Sequence, residues 1–213
     1  MSDTTAPSYT GATEAGKERW ALLLAGGDGS RLRSLTRALA GDDRPKQFCR
    51  VMGGETLLEQ TWRRALLTVP RANVMAVVTN HHERFYKTLL PTLGIPQVVS
   101  QPQNRGTAPG ILYPLLRLAE LAPDAALAIF PSDHHFSDDR RFAAHVDDAF
   151  RAAEADPARV FLLGIIPDTH ESECGWIEPG ARLGIGGERA AQSVRQFWEK
   201  PDAGFAETPP WAR

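Results

Sequence analysis

The sequence predicts an α/β fold built on a mostly parallel sheet. Three features point to it. Short β-rich apolar runs recur along the chain, longer amphipathic stretches separate them, and several of the short runs are apolar at nearly every position. Continuous apolar strands suit a sheet covered on both faces, and strand–helix alternation runs those strands parallel.

The elements follow in order. Residues 1–19, "MSDTTAPSYTGATEAGKER", lack the apolar centre of a signal peptide and contain acids that a transit peptide avoids, so they read as a disordered tail. Predicted strands are "WALLLA" (Trp20 to Ala25), "VMAVVT" (Val74 to Thr79), "QVVS" (Gln97 to Ser100), "ALAIFP" (Ala126 to Pro131) and "VFLLGI" (Val160 to Ile165). Between them lie the helical patterns "TLLEQTWRRALLTV", "HERFYKTLL", "GILYPLLRLAEL" and "DRRFAAHVDDAFRAAEA". In the first, Leu57, Leu58, Trp62, Ala65 and Leu66 share one face, which leaves Arg63 and Arg64 for solvent. Pro114 falls inside the third, so that helix either starts later than its pattern or carries a kink. The end, residues 202–213, has lost the α/β rhythm and reads as irregular.

Bulk properties narrow the function. A chain of 213 residues can bury a substantial core, and 42% apolar with 23% charged residues is ordinary for a globular protein. A net charge of −2 argues against coating nucleic acid or an anionic membrane, though a local basic pocket stays open. No apolar run approaches the roughly 20 residues that span a bilayer. Cys49 and Cys174 have neither metal nor redox spacing, which makes a reduced, cytoplasmic setting the expectation.

Ligands of open α/β sheets bind at the carboxyl ends of the strands, and there the sequence turns polar. "GGDGSR" follows the first strand, "QPQNRGTAPG" surrounds the end of the third, and "SDHHF" ends the fourth. Gly26-Gly27-Asp28-Gly29-Ser30-Arg31 is either a tight strand-to-helix turn or a cradle of bare N–H groups for phosphate. Lys46, on the stiff "DDRPKQF" segment, is either a solvated lysine or an ammonium for the same phosphate. The spacing matches neither a Walker A loop nor the dinucleotide fingerprint. Adjacent histidines such as His134 and His135 seldom converge on one ion, which argues against zinc.

Taken in order, "LAGGDGSRLRSLT", "RPKQF", "QPQNRGTAPG", "FPSDHHF", "GWIEPG" and "FWEKP" resemble the sugar-nucleotide pyrophosphorylases, most closely the mannose-1-phosphate guanylyltransferases, from about Trp20 to Pro201. The resemblance implies a Rossmann-like, nucleotide-diphospho-sugar transferase sheet over residues 20–201, incomplete at its C-terminus. It implies that mannose 1-phosphate attacks the α-phosphorus of GTP, giving GDP-mannose and pyrophosphate. The nucleophile is already anionic, so positioning and charge neutralisation carry the catalysis.

The same resemblance assigns residues. Leu24, Ala25, Gly26, Gly27 and Gly29 would wrap the nucleotide. Arg31 would hold the departing phosphates and Lys46 would neutralise charge at the α-phosphorus. Gln101, Asn104, Gly106 and Thr107 would meet the base and its nucleotide, and Asp133 would hold the Mg²⁺ cofactor. Gly175, Glu178, Glu199 and Lys200 would bind the sugar and its phosphate. GTP and mannose 1-phosphate are the implied partners, with no nucleic acid and no membrane; a homo-oligomer stays open. So do two alternatives: another nucleoside triphosphate or hexose 1-phosphate, and a nucleotide-binding remnant without turnover.

Overall fold

A computed structural model describes residues 17–29, 32–51, 53–167, 172, 174–185 and 191–202. The chain divides into two compact units, Met1–Val146 and Asp147–Arg213. Of the predicted features, most of the tail, the last eleven residues and Arg31 lie outside the described residues.

The first unit is built on four parallel strands in the order β3-β2-β1-β4: β1 (Arg19–Leu24), β2 (Val74–Thr79), β3 (Gln97–Gln101) and β4 (Ala126–Pro131). Ala21 pairs with Val74 on one side and Ala128 on the other, so β1 is central and its backbone groups are satisfied on both edges. Trp20, Leu22, Met75, Val77, Val99 and Leu118 form a core on one face, with Leu118 supplied by α5 (Thr107–Leu121). Ala21, Leu23, Ala76 and Val78 alternate with these strand residues and are fully or almost fully buried. Between β1 and β2 come α1 (Arg33–Ala40) and α2 (Leu57–Ala65), and between β2 and β3 come α3 (Glu83–Tyr86) and α4 (Leu89–Leu93).

Chain order explains where a ligand belongs. From β1 the chain steps outward through β2 and β3, then crosses back to place β4 on the other side of β1. Right-handed crossovers then put α5 on the face opposite the earlier helices. The direction reverses between β1 and β4, and such a switch point opens a crevice at the carboxyl ends of the two strands.

Local chemistry sets the helix starts. Thr56 caps α2 by accepting from Glu59 N at 3.2 Å, while the Glu59 carboxylate accepts from Thr56 N at 2.5 Å. α5 begins at Thr107, earlier than its pattern suggests, with Gly106 as its N-cap and Pro109 in its first turn. Pro114 is therefore a buried interior residue of α5, and the later start is ruled out.

Two further expectations are corrected. Arg64 does not face solvent: it is only 1% exposed. Its guanidinium donates at 2.8 Å to His134 O and to Thr61 Oγ1, and it stands 3.5 Å from an Asp139 carboxylate oxygen. Its Cζ also lies 5.1 Å from the Phe136 ring centre. The helical pattern sees only α2, whereas these partners come largely from the segment after β4. The predicted strand Val160 to Ile165 forms no ladder; its backbone is irregular, and Val160 and Ile165 are 88% and 73% exposed. β-propensity describes fit to a sheet surface, and no described strand pairs with this run.

The second unit contains an antiparallel ribbon of β5 (Gly175–Arg182) and β6 (Gln192–Glu199). Trp176 faces Trp198 across it, and the register shifts on both sides of Pro179, a residue that cannot donate to a ladder. The long helix α6 (Asp139–Ala155) has the limits its pattern predicts. Among the described residues, no helix is long and apolar enough to cross a membrane.

Candidate functional site

The loop after β1 is held by its carbonyl groups. Ala25 O and Gly27 O both accept from Gln47 Nε2, at 3.0 and 2.8 Å. Gly26 O accepts from Thr79 Oγ1 at 2.8 Å, and Gly29 O accepts from Leu32 N at 3.1 Å. The N–H groups of Gly26, Gly27, Asp28 and Gly29 donate to no acceptor among the described residues. Peptide oxygens are thus tied to protein while peptide donors are left over, the polarity an anion requires.

The glycines have different reasons. A methyl group on Gly26 would lie 3.0 Å from Thr79 Oγ1 and 3.5 Å from Gln101 Oε1. Gly29 has φ +58°, a left-handed conformation that other residues adopt at a cost. Among the described residues no atom lies within 4 Å of a methyl placed on Gly27, so their packing does not demand glycine there. Ala25 is fully buried, and Leu24 O accepts from Ser132 Oγ at 2.5 Å, which joins the ends of β1 and β4.

Lys46 opens a short 3₁₀ turn, Lys46–Phe48, just after Pro45. Ahead of it Asp42 grips Arg44 through both carboxylate oxygens, at 2.8 and 2.9 Å, which holds the Asp42 carboxyl below its usual range. The Lys46 backbone N lies 3.4 Å from a methyl position on Gly29. Its Nζ reaches 2.6 Å from Asp133 Oδ2. Lys46 and Asp133 also border an open recess lined by Leu32, Leu35, Leu39, Val51 and Leu57.

On the other flank, Gln101 ends β3 and is 7% exposed, its oxygen beside both Gly26 and Gly110. Asn104 Oδ1 accepts from Gly106 N at 2.9 Å, and Asn104 Nδ2 donates to Asp28 at 2.9 Å. Gly106, with φ +92°, presents the α5 N-terminus, where no side chain caps the first turn. Thr107 is the first residue of that turn.

The structure therefore gathers Leu24, Ala25, Gly26, Gly27, Gly29, Lys46, Gln101, Asn104, Gly106, Thr107 and Asp133 at the carboxyl ends of β1, β3 and β4. The second unit, taken alone, pairs Gly175 with Glu199 directly across the ribbon. A methyl on Gly175 would strike the Phe197 ring at 2.3 Å, so the half-exposed ring would have to swing aside to admit one. Glu178 lies on the opposite face of the ribbon from Glu199 and accepts from Arg195 at 3.2 Å. Lys200 follows with φ +45°, rare for a residue with a side chain.

Gln47, Thr79, Asp28 and His82 shape this site, and the sequence alone gives none of them a role. Gln47 had a signal, since it sits inside the quoted "RPKQF" motif. Thr79 and His82 follow from the apposition of loops far apart in the chain. No cluster of three or more metal-ligating side chains occurs among the described residues. A half-buried carboxylate such as Asp133, paired here with Lys46, fits a hard cation that takes its remaining ligands from phosphate and water.

Donors with no acceptor among the described residues, at the switch point of a parallel sheet with a lysine beside them, are the arrangement that α/β proteins of the nucleotide-binding kind use for phosphate. Residues 20–208 match the nucleotidyl transferase family model, and the chain belongs to that family. It is 34% identical over 189 residues to the xanthan biosynthesis protein XanB of Xanthomonas campestris pv. campestris (strain B100), covering 87% of this chain and 38% of that protein. It is 32% identical over 191 residues to a mannose-1-phosphate guanylyltransferase of Escherichia coli (strain K12), again covering 87% and 38%. Its fold superposes with TM-score 0.75 on a Thermus thermophilus crystal structure described as a mannose-1-phosphate geranyltransferase, at 29% identity. That match covers 89% of this chain and 52% of the other. The chain spans less than two-fifths of the length of these curated relatives.

Proposed function

We propose that the chain transfers the guanylyl group of GTP to mannose 1-phosphate, forming GDP-mannose and pyrophosphate. One observation carries the reading: in the loop after β1 the carbonyls of Ala25, Gly26 and Gly27 are bonded inward, while the N–H groups of residues 26–29 have no acceptor among the described residues. A phosphate oxygen of the sugar phosphate attacks the α-phosphorus, and the bond from that phosphorus to the oxygen bridging to the β-phosphate breaks. No proton has to be removed from the nucleophile, so the protein supplies positioning and positive charge.

The loop donors would hold the phosphate chain, and Lys46 would exchange its contact with Asp133 for the charge on the α-phosphate. Arg31, two residues beyond Gly29, would steady the departing pyrophosphate. Gln101 offers an amide to the base edge, with Gly106 and Thr107 beside it. Gly175, Glu178, Glu199 and Lys200 would recognise the sugar phosphate. Asp133 would hold Mg²⁺, which when bound screens and polarises the phosphates.

The name of the E. coli relative, a mannose-1-phosphate guanylyltransferase, supports both the hexose 1-phosphate and the guanylyl donor. Purified chain with GTP, mannose 1-phosphate and Mg²⁺ should release pyrophosphate only when both substrates are present. Release with another nucleoside triphosphate or hexose 1-phosphate alone would move the specificity. GTP binding without release would make the chain a nucleotide-binding module, and no binding of any nucleoside triphosphate would overturn the reading.

A further inference from the structure

We propose that Asp28 is a positioning residue that locks the phosphate loop and the base-side loop into one preformed surface, with Asn104 and His82 as its partners. The inference rests on the proposed nucleotide site. Asp28 sits between Gly27 and Gly29, two residues with wide backbone freedom. A cradle of free donors binds well only if its geometry is fixed before the ligand arrives.

Both oxygens of Asp28 meet partners from other loops. Oδ2 accepts from Asn104 Nδ2 at 2.9 Å, and Asn104 in turn accepts from Gly106 N at 2.9 Å. This makes a continuous chain from the middle of the phosphate loop to the N-terminus of α5. On the other side, Oδ1 lies 3.3 Å from Nε2 of His82, which follows β2. The loops after β1, β2 and β3 therefore meet at one carboxylate.

His82 is suited to a fixed support. It is 8% exposed, and its Nδ1 is buried without a hydrogen-bond partner among the described residues. Burial pushes its pKa down, so the ring is neutral near pH 7 and faces Asp28 as a dipole. The ring also packs edge-on against Phe48, with centres 6.2 Å apart. Phe48 belongs to the turn that carries Lys46, and Gln47 of that turn bonds two carbonyls of the phosphate loop. A carboxylate free to swing toward a triphosphate would repel it. Asn104 and His82 hold this one toward the protein.

Three chains test this: wild type, Asp28→Ala, and Asp28→Asn, whose amide oxygen can still accept from Asn104. Equilibrium GTP binding and the KM and kcat for GTP are measured on each. The Ala variant should raise Kd and KM about tenfold with kcat changed less than about threefold, and the Asn variant should recover binding to within about threefold. Amide hydrogen exchange on the nucleotide-free chains gives a second readout. Asp28→Ala should speed exchange at Gly106, whose N–H the Asn104 side chain protects, and Asp28→Asn should not. Unchanged GTP affinity or unchanged exchange at Gly106 in Asp28→Ala overturns the proposal, as does an Asn variant as impaired as Ala. A wild-type chain that binds no nucleoside triphosphate overturns the functional reading instead, and exchange at Gly106 alone then decides whether the loops are locked.

Discussion

Lys46 Nζ stands 2.6 Å from Asp133 Oδ2, so the lysine of the turn after α1 meets the carboxylate that follows β4. The side chains are 29% and 31% exposed, a setting in which an ion pair contributes only about 0–1 kcal/mol to folding. The pair holds opposite charges at the mouth of the crevice, and in the proposed reaction the triphosphate would compete with Asp133 for the ammonium.

Lys46→Ala should therefore keep its urea midpoint close to wild type. Its turnover in the pyrophosphate assay should fall at least about 100-fold, because a charge aimed at the reacting phosphate is lost. Near-normal rates would remove Lys46 from the chemistry.

The loop glycines separate packing from binding. Gly27→Ala adds a methyl where no protein atom lies within 4 Å, so stability should stay within about 0.5 kcal/mol while GTP affinity falls. Gly26→Ala forces a 3.0 Å contact on Thr79 Oγ1 and should destabilise by about 1 kcal/mol. Urea denaturation beside GTP titration measures both. A Gly27→Ala chain that binds as wild type does would show that the nucleotide does not lie against the Gly27 Cα.

Arg64 tests the support of the segment after β4. Arg64→Met keeps much of the volume but removes the donors to His134 O and Thr61 Oγ1, and Asp139 is left with Arg63 at 2.8 Å. The expected loss is about 2–4 kcal/mol. A denaturant midpoint indistinguishable from wild type would contradict the burial described for this side chain.

His82 gives stability a pH dependence of known sign. Burial lowers its folded-state pKa below the ordinary value of 6.5, outweighing the opposite pull of Asp28, while His81 and Arg84 act with burial. Below pH 6.5 the unfolded chain takes up a proton that the folded chain refuses. This stabilising contribution is complete above that pH and is lost as pH falls toward the folded-state pKa, at no more than about 1.4 kcal/mol per pH unit. His82→Gln should flatten the slope as pH falls below 6.5 in denaturant titrations. An unchanged slope would assign the acid sensitivity to other groups.

Much of this architecture is legible in the residue order. β2, β4 and α6 have the predicted limits, each a run whose apolar spacing marks its own ends. The phosphate-loop glycines, Lys46 and Asp133 could be marked since each follows a strand or a stiffened turn. The burial of Arg64 could not, because its partners are remote in sequence and a helical pattern sees only its own face. The meeting of Asp28 with His82 and Asn104 is hidden for the same reason: three loops converge only after the sheet has assembled. "VFLLGI" misled because strand character is conferred by a neighbour, and its composition cannot supply one.

That stretch has a practical consequence. Leu162, Leu163 and Ile166 join Val160 and Ile165 in presenting greasy side chains to water, with Ile166 at 92% exposure. Adhesive ribbon-forming sequence left bare invites copies of the chain to stick together. Colloidal behaviour should accordingly worsen with concentration and salt, and a charged replacement such as Ile166→Lys should keep more of the polypeptide in the supernatant.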